Sequence, residues 1–380
     1  MKAAIFYYRY LDFNGEERQI GGIETYLHSL SELCIKLDIE PVIFQYGQKR
    51  FEKVVDNVRV IGLPVLEERE ARRPVKAFWM ASGEFDAKKD IVIFGADRHS
   101  VSYPGHRCVS IQHGIAWDLP NSYISTRKIW QNRWAGEMYK MLLIQRAIRN
   151  YKRCPNRVCV DYNFLNWYRT FLHVELTGRN WIIPNFANIP EADVVEKAHV
   201  DDAGPKILFA RRFNDYRGTR LMVPVAKSLL KKYPRISFTF AGEGPDESWL
   251  KEQFAAETRV IFTKYFPDDI VDIHLKHHIA IVPSIASEGT SLSVAEAMAC
   301  GCAVAATAIG GVTNMIIDGY NGRLCLPSAK ELEKCVEDLI VDKDRRKQIA
   351  ENAYATAQSA FSKTKWEDSW THVLQAISKM

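Results

Sequence analysis

Short apolar runs alternate with stretches of helical spacing along the whole chain, and that alternation restricts its architecture more than any other feature. AAIFYY (3–8), PVIFQY (41–46), VRVIGLP (58–64), DIVIFGA (90–96), RCVSIQH (107–113), RVCVDY (157–162) and WIIPN (181–185) read as strands. Between the first two, apolar residues at 23, 26, 27, 30, 33, 34 and 37 predict a helix over Ile23–Leu37. A polar stretch, EADVVEKAHVDDAGP (191–205), then reads as a linker. The alternation restarts after it with KILFA (206–210), a helix near Thr219–Lys231, ISFTFAG (236–242), RVIFTKY (259–265), HIAIVPS (278–284), CAVAAT (302–307) and GRLCLP (322–327). The pattern predicts two α/β domains with mainly parallel sheets and a cleft between them, and 380 residues is long for one core.

Composition narrows the class. Apolar content of 47% and charged content of 26% suit a soluble globular protein. No window supplies the roughly 18 apolar residues of a membrane span. The first residues, MKAAIFYYRYLDF, break too early at Arg9 and Asp12 for a signal peptide and read as a core strand. The eight cysteines include no Cys-x-x-Cys pair and sit in apolar segments, which points away from zinc and disulfides and toward a reducing cytoplasm. Net charge is +5 but uneven. Residues 1–190 hold 27 Lys and Arg against 20 Asp and Glu, and the remainder 24 against 26. An acidic partner of the first half, lipid or nucleic acid, follows as an expectation.

The chemistry concentrates in SIASEGTSLSVAEAMACGCAVAATAIGG (284–311), directly after a buried-strand pattern. Ser293-x-x-Glu296 matches a helix capping box. Glu288, Gly289, Thr290, Ser291 and Leu292 would then occupy the loop between strand and helix, where open α/β sheets bind ligands. Free N–H groups of Thr290–Val294 and the helix dipole would favour a phosphate there. Carboxylates beside a phosphate need other partners, and sugar or ribose hydroxyls supply them. The spacing of Glu288 and Glu296 therefore proposes a ligand with a diphosphate in its middle and polyols at its ends. Arg212 and Arg217, in the loop after KILFA, could grip that diphosphate and stabilise charge on a leaving group.

Glu288-(seven residues)-Glu296, with AMACGCAVAATAIGG and DGYNG behind it, resembles retaining glycosyltransferase family 4 of the GT-B fold. GGIETYL (21–27), IPNF (183–186), ARRFNDYRG (210–218), AGEGPD (241–246), VPSIASEG (282–289) and the C-terminal FSKTKWEDSWTHVLQAI extend the resemblance along most of the chain. It implies two Rossmann-like α/β domains facing each other across a cleft. Residues 1–190 would form the acceptor-binding domain and 191–363 the nucleotide-sugar domain, with a last helix at 364–380 returning to the first. It also implies residue roles. Glu288 would hold donor-sugar hydroxyls and Glu296 ribose hydroxyls. Arg212 and Arg217 would hold the diphosphate opposite Gly22, and Lys264 and Tyr265 would lie beside the base. Backbone groups of Gly289, Thr290, Ser291 and Leu292 would touch sugar and phosphate, and His113 would stand near donor and acceptor. Arg217 replaces the family's usual Lys, which keeps the charge and changes the geometry. The implied reaction is retaining transfer from a nucleoside-diphosphate sugar, the acceptor hydroxyl entering on the face from which the diphosphate leaves. No metal or other cofactor is implied.

Plainer accounts stand beside these. Glu296 on spacing alone is a capping-box residue, and Arg212 and Arg217 in isolation are surface charges. His113 at a strand end is as well explained by structure as by chemistry, and His274, His277 and His278 have no ligand spacing. Asp342-Lys343-Asp344 resembles a metal-diphosphate motif but lies between helices, where a capping role fits better. Residues 127–153 carry eight Lys or Arg against Glu137 alone, with Trp130, Trp134 and Tyr139, and could rest on the inner face of an anionic membrane. Basic and apolar positions there do not separate cleanly around a helix. The expected function is sugar transfer to a saccharide or lipid-linked saccharide in surface polysaccharide assembly, by a cytoplasmic or peripheral protein. The rivals are a sugar-nucleotide epimerase or hydrolase and a basic nucleic-acid-binding protein, the latter lacking any recognition motif. RYLDFNGEERQI (9–20) has no motif to read.

Overall fold

The computed structural model describes every residue except 20, 66–72, 87, 104, 116, 121–127, 200–203, 267, 268 and 287. Parts of the expected linker, the start of the basic segment and Ser287 therefore lie outside the described residues. The chain divides into two compact units. Unit 1 comprises residues 1–113, 137–183 and 366–380; unit 2 comprises 114–136 and 184–365. The chain thus passes from unit 1 to unit 2 at Ile183–Pro184 rather than after residue 190.

Unit 1 is built on an eight-stranded sheet in the order β3-β4-β2-β1-β5-β6-β7-β8. Its strands are β1 (Lys2–Phe6), β2 (Glu40–Gly47), β3 (Phe51–Val55), β4 (Val58–Pro64), β5 (Ile91–Phe94), β6 (Cys108–Gln112), β7 (Asn156–Cys159) and β8 (Arg179–Ile182). All pairs are parallel except β3 with β4. The central strands are buried along nearly their whole length, which is why they read as unbroken apolar runs. The sequence pattern misses β3 because that edge strand exposes its middle residues. Its turn is legible in hindsight: Asp56 and Asn57 both have positive φ (50° and 63°), as a two-residue hairpin demands.

Helices α1 (Gly22–Lys36), α2 (Arg73–Ala81), α3 (Lys128–Gln131), α4 (Arg133–Arg153) and α5 (Tyr162–Leu172) follow in chain order, α3 and the first four residues of α4 falling in unit 2. The basic segment is thus two helices among the described residues. Around α4 basic and apolar positions share the exposed face, as the sequence pattern predicts. One outward stripe carries Trp134, Met138, Met141 and Leu142 (82, 68, 51 and 48% exposed) in its first half. The same stripe carries exposed Arg146, Arg149 and Lys152 in its second. Basic and apolar positions separate along the helix, not around it.

Unit 2 holds a six-stranded, wholly parallel sheet in the order β11-β10-β9-β12-β13-β14. Its strands are β9 (Lys206–Ala210), β10 (Ser237–Ala241), β11 (Val260–Thr263), β12 (Ile279–Val282), β13 (Ala303–Thr307) and β14 (Arg323–Cys325). The helices are α6 (Ala192–Ala198), α7 (Thr219–Lys232), α8 (Glu247–Gln253), α9 (Ile270–Leu275), α10 (Leu292–Ala299), α11 (Ala329–Val341) and α12 (Lys343–Ala360). The stretch read as a linker therefore contains a helix, α6. One core layer joins α7 and α11 through Phe209, Phe240, Leu229 and Leu339; the other lies under α10 and α12. Asp342 caps α12, accepting the Arg345 N–H at 2.9 Å, as its position between helices predicts.

The last helix, α13 (Lys363–Ser378), puts Trp366, Trp370, Val373, Leu374 and Ile377 into unit 1. Trp370 is fully buried and donates its indole N–H to the Tyr26 hydroxyl at 2.7 Å, so the largest side chain there leaves no polar atom unpaired. All eight cysteines are free and buried.

Candidate functional site

In unit 2, β9 leads through α7 to β10 on one side, while β12 pairs with its other side. Adjacent loops diverge only at such a point, which opens a crevice at the carboxyl ends of β9 and β12. The two loops that meet there are 211–218 and 283–291.

Two glycines let them meet closely. Gly218 (φ +86°) precedes α7, and a Cβ on it would lie 2.0 Å from the Pro283 carbonyl oxygen. Gly310 (φ +51°) would place its Cβ 2.2 Å from the Glu288 carbonyl oxygen, and the next N–H, of Gly311, donates to that oxygen at 2.9 Å. Ile285 N–H donates to Tyr216 O at 3.0 Å, which stitches one loop to the other. The carbonyl of Glu288 is thus fixed by a close contact and a hydrogen bond.

Its carboxylate is held as well. Arg211, Arg217 and Ser284 all donate to Glu288 Oε1, Arg217 from 2.5 Å. Arg211 also donates to Ser284 Oγ, closing a small ring. Glu288 is only 6% exposed, and burial alone would push its carboxyl up. The two guanidiniums outweigh burial and hold it at about 2. Every described donor meets Oε1, which leaves Oε2 open to a ligand hydroxyl.

Arg211 is the residue that sequence reasoning missed. Arg212 and Arg217 are the expected pair, yet the structure brings Arg211 and Arg217 to Glu288 and leaves Arg212 exposed on the same loop. Adjacent arginines offer no spacing signal to separate them, and only the loop's path decides which one turns inward.

The capping box is corrected too. The N-cap of α10 is Ser291, not Ser293, and Glu296 lies inside the helix. Ser293 Oγ lies 3.5 Å from Ala210 O instead. Burial pushes the Glu296 carboxyl up to about 7, with Arg211 opposing. Tyr265 is pushed up by burial and then by Glu296, so these two groups neighbour each other. Lys264 is exposed and pairs with Glu243 at 2.8 Å. Thr290 is committed to structure: Asn185 donates to its hydroxyl from the backbone at 3.1 Å and to its carbonyl from the side chain. Asn185 in IPNF thus acquires a role that the motif alone did not show. Ser291 N–H points at Met315 Sδ, 3.2 Å away, so not all of the expected N–H groups are free. Those of Leu292, Ser293 and Val294 open the helix and lack partners within it.

Gly22 and His113 belong to unit 1. Gly22 is the exposed first residue of α1. His113 follows β6; its Nε2 lies 2.8 Å from Gly95 O, and its ring meets Tyr26 edge-on at 5.3 Å. Burial lowers its pKa to about 4. The ring is therefore neutral near pH 7, with Nε2–H donating to Gly95 and Nδ1 left as an acceptor. His274 and His277 bond to backbone oxygens one turn back, and His278 accepts the Lys206 N–H, as structural histidines do. Among the described residues no three His, Cys, Asp or Glu side chains cluster as metal ligands. No helix among them is long and apolar enough to cross a membrane.

Comparison with known proteins bears on family and fold. Residues 192–356 match the family model described as glycosyl transferases group 1. The gpi3 subunit of phosphatidylinositol N-acetylglucosaminyltransferase from Schizosaccharomyces pombe is 25% identical over 207 residues, 53% of this chain and 43% of that one. Lipopolysaccharide 1,2-N-acetylglucosaminetransferase from Salmonella typhimurium is 28% identical over 207 residues, 49% of this chain and 53% of that one. The chain spans about half the length of the curated relatives it matches. Anabaena HepE, solved with UDP-glucose, superposes over 99% of this chain and 100% of its own with TM-score 0.70 at 18% identity. The fold is GT-B.

Proposed function

We propose that the protein is a retaining glycosyltransferase that moves a sugar from a nucleoside-diphosphate sugar to a hydroxyl of a saccharide acceptor. The observation that carries this is Glu288 at the end of β12: its Oε1 is tied by two arginines and a serine, and its Oε2 remains for a ligand hydroxyl. The same loops carry Arg212 and the open N-terminus of α10, so one crevice combines a polyol acceptor atom with anion-binding groups. The glycosyl transferases group 1 match covers this region, and HepE was solved with UDP-glucose. Both support the reading.

In this reading the anomeric carbon breaks its bond to the diphosphate oxygen and forms one to the acceptor oxygen on the same face. The acceptor proton passes to a departing phosphate oxygen, so no side chain need act as nucleophile. Arg212, Arg217 and the N–H groups of Leu292 and Ser293 would stabilise the growing negative charge. Glu296 would bind ribose hydroxyls, with Lys264 and Tyr265 beside the base. His113 Nδ1, neutral and unprotonated, would accept a sugar hydroxyl. No step uses a metal. Residues of unit 1 would bind the acceptor, in surface polysaccharide assembly.

The outward stripe of α4 favours contact with an anionic membrane, its Trp134 half entering the interface and its Arg146 half meeting phosphates. Proton NMR of the product formed from an α-linked sugar nucleotide tests the reaction: an α-anomeric product with acceptor, and none without it, is expected. A β product would remove retention. Free sugar or an epimerised nucleotide formed without acceptor would favour the hydrolase or epimerase instead.

A further inference from the structure

Residues 9–19, unreadable as sequence, form a pinned hairpin in unit 1. Leu11 bridges Arg18, Asp12 N–H donates to Glu17 O at 2.8 Å and Gln19 N–H donates to Tyr10 O at 3.0 Å. Its base is clamped by Gln45 of β2, which is fully buried. Gln45 Oε1 accepts the N–H groups of Tyr10 and Leu11, while its Nε2 donates to the carbonyls of Leu11, Asp12 and Tyr46. A loop anchored by four bonds from one buried amide is a fixed element of the fold, not a connector.

What the hairpin presents is specific. It rises from the end of β1, and residues 95–100 leave the end of the neighbouring β5. In this sheet β1 has β2 on one side and β5 on the other, so the two segments diverge at a crevice equivalent to that of unit 2. The floor is aromatic. Tyr8 packs edge-on to Phe13 (5.4 Å) and Tyr46 (5.6 Å), and the buried His99 stacks on Tyr8 at 6.4 Å. Two guanidiniums cover that floor, Arg9 over Phe13 at 5.4 Å and Arg98 over Tyr8 at 5.9 Å. Gln19 Oε1 accepts from Arg9, but among the described residues neither arginine forms an ion pair. Beside them, Tyr7 donates to Glu24 Oε1 at 3.0 Å. Both arginines act electrostatically on Tyr7 and on Glu24. Burial raises the Glu24 carboxyl, with its hydrogen bond from Tyr7 and both arginines opposing. His99 Nδ1, beneath that floor, is buried without a hydrogen-bond partner.

Half-exposed rings suit the C–H face of a sugar, and a tyrosine–carboxylate pair suits its hydroxyls. Two arginines that lie near Glu24 and Asp97 yet form no ion pair among the described residues require something more. We infer that this crevice binds a saccharide carrying an acidic group, carboxylate or phosphate, read by Arg9 and Arg98. This deepens the acceptor reading above and rests on it, assigning that ligand a chemical class. Arg98 is the more exposed and meets the ligand first; Arg9 is oriented by Gln19 and the hairpin. Both guanidiniums can engage an acid in paired hydrogen bonds, which a neutral sugar cannot return.

Saturation-transfer NMR on the full chain tests this with three probes: glucuronate, glucose 6-phosphate and glucose. Binding of one or both acids without glucose is expected, and the two arms distinguish carboxylate from phosphate. The Arg9→Gln/Arg98→Gln variant should weaken that binding about tenfold, while Arg18→Gln, which changes the same hairpin's pair with Asp56, should not. Arg98→Gln alone alters an exposed side chain and serves if the double variant unfolds. Equal binding of glucose, no binding of any probe, or acid binding unchanged in the Arg98 variant overturns the inference. Nucleotide binding, read separately by thermal shift, reports on the donor site, so loss of one reading is not mistaken for loss of the other.

Discussion

The two sheets open at the same topological point but end in different chemistry. At β9 and β12 a buried carboxylate is held by arginines, with glycine contacts fixing the backbone around it. At β1 and β5 the crevice is floored with aromatic rings, and among the described residues its arginines form no ion pair. The first arrangement is pre-organised by ion pairing within the protein. The second keeps its cations for a ligand. A donor with a common nucleoside-diphosphate end can be served by a fixed site, whereas selectivity for the other substrate can reside in the unpaired groups.

That contrast can be broken by mutation. Arg211→Ala should have the largest effect, because it leaves the buried Glu288 charge with Arg217 as its one cation beside Ser284, a loss of about 3–5 kcal/mol. Urea unfolding measures it, and a change below about 1 kcal/mol would mean that water already serves Glu288. Gln45→Ala should cost about 1–3 kcal/mol by unsatisfying the hairpin's buried N–H groups. Hydrogen exchange at Tyr10 and Leu11 should accelerate with it, and unchanged protection would show the hairpin to be held by other contacts.

The last effect concerns pH. Glu296 has its pKa raised from 4.5 to about 7, so the folded state holds its proton more tightly than the unfolded chain. Its contribution therefore falls as pH rises through that interval. Glu288 runs the other way: its contribution is present above 4.5 and is lost as pH falls toward about 2. Melting temperature measured against pH should thus decline less from 4.5 to 7 in Glu296→Gln than in the parent. Parallel curves would place Glu296 outside that linkage.

Much of the architecture was legible because parallel strands buried on both faces leave apolar runs with little polar interruption. KILFA and VRVIGLP match β9 and β4 residue for residue. The edge strand FEKVV was not legible, since exposure erases that signal. For the candidate site, the two glutamates and Arg217 could be read, because the motif fixes loop lengths. Arg211 could not, and neither could the true N-cap of α10, since both depend on the path of a loop between fixed ends. The hairpin at 9–19 was silent for a related reason: its anchor, Gln45, lies 34 residues beyond Leu11.

The most direct test of the donor site is a thermal-shift panel of UDP, GDP, dTDP, ADP and CDP, run on the parent, Arg212→Gln and Glu296→Gln. A ligand that binds only the folded chain must raise its melting temperature. Arg212 is exposed, so its variant should melt with the parent when no nucleotide is added. The account predicts stabilisation by at least one nucleotide, weakened in both variants. No shift with any nucleotide, or an equal shift in all three proteins, would contradict it.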